Sequence, residues 1–216
     1  MMGNLRSRRT MNLKTAARGK FCSDHYDFCA KTKQLEIKSR SGLRHWLEEH
    51  HTTISVPIWL VVWRKGTEFY LPWGDVVSEL LCWGWIDSTR RAVDDQRTSF
   101  RISRRRAKST WSGLNKVKVD EEREAMRMTA AGESSIAVAH ENGMWNFLDE
   151  VEALVTPTDL QHALGEQLHV WESYPKNLKC SALHRIKMAK TETTRAKRIQ
   201  EEVRHAVDRS LLKKCI

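Results

Sequence analysis

The succession of hydrophobic periodicities predicts an α+β fold: a small β-sheet with short helices in the N-terminal half, and a helical C-terminal half. The apolar run at 54–63 puts Trp59, Val61 and Trp63 on one alternating face and Ile58, Leu60 and Val62 on the other. A strand hydrophobic on both faces belongs in the middle of a sheet, covered on both sides. Beyond residue 112 the apolar positions recur at three- and four-residue spacing, the period of a helix. A chain of 216 residues with nine tryptophans also has the length and the bulk for a real core.

Taken in order, residues 1–33 read as a disordered basic tail, 34–112 as the α+β region, and 113–216 as a helical region packed on it in one compact unit. The first twenty residues carry Arg6, Arg8, Arg9, Lys14, Arg18 and Lys20 without an acid. A mitochondrial presequence shares that composition, but these residues show no clear apolar face, and Met11 is an alternative start. Cys22, His25 and Cys29 have metal-ligand spacing, yet no second pair follows nearby, so thiols without a metal are the plainer reading.

Ordered structure is expected from Leu35, where Leu35 and Ile37 alternate with charged neighbours as in a short strand. Ser41 caps a helix that places Leu43, Trp46 and Leu47 inward and Arg44, Glu48 and Glu49 outward. Phe69, Tyr70 and Leu71 read as a second strand paired with 54–63 across Lys65-Gly66 and ended by Pro72. Residues 75–82 form a helix with Val76, Val77, Leu80 and Leu81 inward. Gly84 then reverses the chain, and Trp83, Trp85 and Ile86 pack at the junction. Residues 88–101 read as a hairpin or extended loop turning at Asp94-Asp95. Downstream, Ser112 and Thr129 cap successive helices, the second stopped by Gly143, and Thr156-Pro157 starts another. Further helices are expected at 160–171, 175–190 and 194–211.

A formal net charge of +10 predicts attraction to phosphates, acidic proteins or anionic lipid surfaces. The longest apolar run, 56–63, falls far short of the roughly 20 residues a membrane-spanning helix requires. Five scattered cysteines and the absence of an apolar segment after the first arginines point to a reducing, cytoplasmic setting.

Residues 101–118 contain no acid. Within them Arg104, Arg105, Ser109, Trp111, Ser112 and Asn115 bring planar guanidinium forks, hydroxyls, an indole and a helix N-terminus into one short stretch. Those are the components of a phosphate or carboxylate site, with Trp85, Asp87, Asp95 and Arg97 as its supporting residues. The competing reading is a solvated loop whose arginines pair with Asp87, Asp94 or Asp95. An enzyme would use Asp87 or Asp95 as general base and Arg104 or Arg105 to stabilise developing charge. No phosphate-binding loop, dinucleotide fingerprint or nucleophile elbow accompanies them, and His140, His162 and His184 fall on expected helices, so no cofactor or catalytic residue is assigned. The partner is then a small anion or an acidic protein, or else the nucleic-acid backbone, drawn by the tail and the 101–118 run.

The order of Trp59-Leu60-Val61 with Lys65, Leu81-Cys82-Trp83-Gly84-Trp85-Ile86-Asp87-Ser88, Asp94-Asp95, Arg104-Arg105, Ser109, Trp111-Ser112, Asn115 and Arg127-Met128-Thr129 resembles that of the YdeI/OmpD-associated, or bacteriocin-protection, family. The resemblance extends from about Leu35 into the C-terminal region. It implies a largely uncharacterised protein with a role in stress resistance, here resistance to antimicrobial peptides. The chain departs from the family pattern at Ser103 and Ala107, where prolines are expected beside the paired arginines. It departs again at 192–195, where Glu-Thr-Thr-Arg replaces Pro-Glu-Thr-Arg, and at Arg185, where an aromatic is expected. Losing both prolines should loosen the loop that presents Arg104 and Arg105.

Overall fold

The computed structural model describes residues 26–214, with side chains through 209. It opens with a hairpin, β1 (Tyr26–Cys29) and β2 (Gln34–Ile37), turned by Lys33 at φ 53°. The ordered chain therefore begins before Leu35, and residues 26–33 are strand and turn rather than tail. Cys22 and His25 lie outside the described residues.

Helix α1 (Arg40–His50) crosses from β2 to the parallel strand β3 (Ile58–Trp63). Its cap is Ser39, whose hydroxyl accepts from the Gly42 amide at 3.1 Å. The expected cap, Ser41, already lies inside the helix. Helix α2 (Trp73–Cys82) follows, then the hairpin β4 (Trp85–Ala92) and β5 (Arg97–Arg104). The five strands run in the order β1-β2-β3-β5-β4, so β3 is central, as its two apolar faces predict. Its partners are β2 and β5. Residues 69–71 make no strand, contributing only a bridge between Trp63 and Tyr70. The longer, better-patterned 97–104 segment fills the position assigned to them.

Among the described residues, one sheet face meets helices. Leu35, Ile37, Ile58, Leu60, Val62 and Ile102 pack there against Trp46, Leu47, Val76, Leu80 and Trp85. A Leu- or Ile-sized side chain fully buried in this way contributes roughly 1.5–3 kcal/mol. The other face, with Trp59, Val61 and Trp63, has no described helix over it. Instead Arg91 and Arg97 lie across the two indoles, so long cationic side chains stand in for the expected second layer.

Helices α3 (Gly113–Glu124) and α4 (Ala130–Glu141) are capped by Ser112 and Thr129 as expected. They pack against α2 through Leu81, Trp111, Val119, Ile136 and Ala139, which joins them to the sheet region. The approach is close: a β-carbon on Gly132 would sit 2.3 Å from the Cys82 carbonyl oxygen. The Thr129 hydroxyl donates to that same oxygen at 2.6 Å.

The C-terminal region is helical: α5 (Asp149–Glu152), α6 (Thr158–Leu164), α7 (Leu168–Glu172), α8 (Lys176–Lys187) and α9 (Glu192–Lys214). The single helix expected over 160–171 is broken at Gly165, which takes φ 48° and begins a 3-10 turn. Trp171, Leu160, Leu183, Ile186 and Ile199 form the core of this region. Arg185, standing where an aromatic was expected, reaches Glu201 at 2.7 Å and the buried Glu202, and so ties α8 to α9 by charge. The missing proline at the start of α9 is replaced by Thr191, whose hydroxyl accepts from the Thr194 amide at 3.2 Å.

Candidate functional site

Where β5 ends, the chain turns through residues 105–112 and opens a cleft of about 410 Å³. Arg104, Arg105, Arg106 and Ser109 line it from the loop. His51, Thr52 and Trp83 line it from the α1 and α2 ends, and Ser134 and Ser135 from α4. No carboxylate is among the described residues that line it.

The loop is tied down despite Ser103 and Ala107. The Arg105 amide donates to Gly84 O at 2.9 Å, the Ser109 amide to Arg106 O at 2.9 Å, and the Arg106 amide to Ser109 Oγ at 3.1 Å. Asn142 Nδ2 donates to the Ala107 carbonyl at 2.6 Å, anchoring the loop to the end of α4. Ser103 itself sits in β5, in register with Ile86. Hydrogen bonds thus hold a segment in which prolines were expected to supply the stiffness.

Arg105 is the unusual residue of the group. Its guanidinium carbon lies 3.7 Å from the centroid of the Trp111 ring, and Nη1 donates to Thr110 O at 3.1 Å. Its Nε is buried and has no hydrogen-bond partner among the described residues. Burial pulls its pKa down to about 10, opposed only by the field of Asp87. Asp87 is half-buried, and desolvation raises its pKa, against a backbone hydrogen bond and the field of Arg105. The two groups feel one another without forming an ion pair.

The other sequence-selected residues have other tasks. Trp85 and Trp111 are core side chains, each 1% exposed, and Trp111 lies against Arg105 at the wall of the cleft. Ser112 Oγ accepts from the Asn115 amide at 3.3 Å as the α3 cap. The expected anion site at that helix end is already filled from within: both oxygens of Glu152 accept from the Gly113 amide at 2.9 Å. A carboxylate of the C-terminal region thus takes the place reserved for a ligand. Arg97 and Asp95 lie at the far end of the hairpin. There Asp94 accepts from the Gln96 and Arg97 amides, and Arg97 pairs with Asp94 and with Glu36 at 2.8 Å. Asp95 is therefore remote from Arg104 and Arg105 and cannot serve as their general base.

Sequence reasoning missed a buried charge network below the cleft. Glu79, fully buried, accepts from Arg40 at 3.0 Å, Arg44 at 2.8 Å and Trp83 Nε1 at 3.2 Å. Glu122, 2% exposed, accepts from Arg40 at 2.7 Å and Arg127 at 2.6 Å. Burial works to raise the Glu122 pKa, but its bonds to Arg127 and Arg40 prevail and hold it at about 2. Burial and the two nearby carboxylates push the Cys82 thiol up to about 12, so it is no nucleophile. The signal was spacing: Glu79 and Glu122 stand three residues after the buried Val76 and Val119, on the inward faces of their helices.

No helix among the described residues is long and apolar enough to cross a membrane, and no group of three or more His, Cys, Asp or Glu among them is placed to hold a metal ion. Residues 35–135 match a domain of unknown function, DUF8412. Residues 153–207 match the family described as Bacteriocin-protection, YdeI or OmpD-Associated. No curated protein and no solved structure matches the chain. The motifs from Trp59 to Thr129 fall within the first of these matches, whereas the family match covers the helices around Trp171, Arg185 and Glu202. The similarity to the bacteriocin-protection, YdeI or OmpD-associated family is thus confined to this C-terminal helical region.

Proposed function

We propose that the chain is a non-enzymatic binding protein for a small oxyanion, a phosphate or a carboxylate, taken up in the cleft at the end of β5. One observation carries the reading: among the described residues, three arginines and three serines line the cleft with no carboxylate beside them. Arg104 and Arg106 are exposed and supply mobile forks, while Arg105, stacked on Trp111, supplies a fixed cation. Placing an anion beside a partly desolvated guanidinium restores the interaction that burial removed, and the charged hydrogen bond is strong for that reason. Ser109 and the α4 serines add hydroxyl donors. Ser112 and Asn115 support the site by shaping the α3 entry, with Glu152 already on the helix end.

The reading is tested by thermal unfolding in phosphate and in small carboxylates at constant ionic strength. Ligand at about a hundredfold over its dissociation constant stabilises by roughly 2.7 kcal/mol. Arg104→Ala combined with Arg105→Ala is expected to abolish the shift. Equal stabilisation of parent and double variant would sink the reading. The family description, bacteriocin protection, belongs to the family and is not explained by this cleft. A basic protein is poorly suited to sequester cationic peptides directly, so an anion-linked route is the one this chain supports. Unchanged peptide sensitivity in a deletion strain would count against any such role.

A further inference from the structure

The sheet face turned away from α1 and α2 carries a second, separate arrangement. Register places Trp59, Val61 and Trp63 of β3 beside Arg101, Ser99 and Arg97 of β5, with Arg91 of β4 opposite Ser99. Arg91 lies with its guanidinium carbon 3.7 Å from the Trp59 ring centroid, and its Nε donates to Ser99 Oγ at 3.1 Å. Arg97 covers Trp63 at 5.5 Å but is paired with Glu36 and Asp94. Arg91 and Arg101 are both exposed, and neither has a carboxylate partner among the described residues. Of the acids beside this face, Asp27 and Glu36 sit toward the β1 edge and Asp94 is taken up by Arg97 at the hairpin end, so the Arg91–Arg101 part of the face is left cationic.

We propose that this face binds single-stranded nucleic acid, a base stacking on the outer plane of the Arg91–Trp59 pair and the backbone phosphates running past Arg101. The planar guanidinium is held flat by the indole beneath it and by Ser99 at its side, so its outer surface is presented ready for a second planar group. Unpaired bases offer that group, and base stacking on aromatic or arginine planes is the common mode of single-strand recognition. A duplex hides its base faces within the stack. The negative charge of the strand complements the cationic β5–β4 side. This surface lies away from the anion cleft, so either proposal stands or falls without the other.

Fluorescence anisotropy with the intact chain tests it, using a labelled oligothymidylate of about ten nucleotides and a duplex of the same length, a span matched to one stacking platform. Binding is followed at about 50 mM and 200 mM salt. The single strand is expected to bind several-fold more tightly than the duplex. Arg91→Lys, which keeps the charge and loses the plane, is expected to weaken it about tenfold, the worth of one stacked base. Arg101→Ala should flatten the salt dependence, and Lys176→Ala, on the C-terminal helices, should change nothing. Circular dichroism matching the parent shows that each variant is folded. Equal affinity for duplex and single strand, indifferent to Arg91→Lys, marks simple charge attraction and overturns the proposal. Absence of binding at low salt overturns it too, as does displacement of the strand by polyglutamate at matched charge, which marks an acidic-peptide surface.

Discussion

Arg97 and Arg105 stand at opposite ends of one β-strand segment, and their surroundings are opposites. Arg97 donates to Asp94 and Glu36, and its hydrogen bond to Asp94, more than anything else, raises its pKa. Arg105 meets an indole, a carbonyl and no carboxylate, and burial lowers its pKa to about 10. The same residue type therefore does two jobs. A cation that meets its acid within the chain fixes the fold; a cation held without one remains available to an anion from outside. Arg40 and Arg127, bonded to Glu122, are of the first kind, and Arg104 and Arg106, beside the cleft, of the second.

The largest effect should come from breaking the internally paired kind. Glu122→Gln leaves Arg40 and Arg127 without their carboxylate and should cost roughly 3 kcal/mol or more in urea unfolding, as loss of one partner of a buried pair does. The same group predicts the acid side of the stability profile. Its folded pKa of about 2 lies below the ordinary 4.5, so its contribution is complete above about pH 4.5 and is lost as the pH falls toward 2. Parent protein should lose stability across that interval faster than Glu122→Gln; parallel profiles would show that the pairing contributes little.

A middle effect is expected at Glu152→Gln, which weakens the carboxylate on the Gly113 amide that joins α5 to the α3 end. About 1–2 kcal/mol is the scale of a charged hydrogen bond at such a position. Hydrogen exchange should show the loss concentrated at the start of α3. Uniform loss over the whole chain would argue against a local latch. The smallest effect on stability is expected at Arg105→Leu. Removing a desolvated, unpaired cation in favour of an apolar side chain is often neutral or stabilising. A loss comparable to that of Glu122→Gln would erase the distinction between the two kinds of arginine.

Periodicity made the central strand β3, the caps at Ser112 and Thr129 and the hairpin turn at Asp94 readable in advance, because each depends on residues close in sequence. The strand assigned to 69–71 was not formed, since pairing is decided by competition among distant segments, and 97–104 is longer and alternates more cleanly. The cleft was half-legible. An acid-free run named Arg104, Arg105 and Ser109, but Ser134, Ser135 and His51 reach it only through the packing of α4 and α1. Trp111 was recognisable as an aromatic and not as core. The occupant of the α3 end, Glu152, comes from 39 residues away, and nothing local announces it. The buried acids were legible in principle, for Glu79, Glu122 and Glu202 each follow a buried apolar residue by three positions.

The most direct measurement is to soak a crystal of the protein with tungstate, a heavy oxyanion of phosphate-like shape, and locate it by anomalous scattering. Occupancy within hydrogen-bonding reach of the Arg104–Arg106 guanidinium groups and Ser109, with none at Arg97, is the predicted result. Tungstate at Arg97 or elsewhere on the surface, with the cleft empty, would contradict the claim that the arginines without internal partners form the binding site.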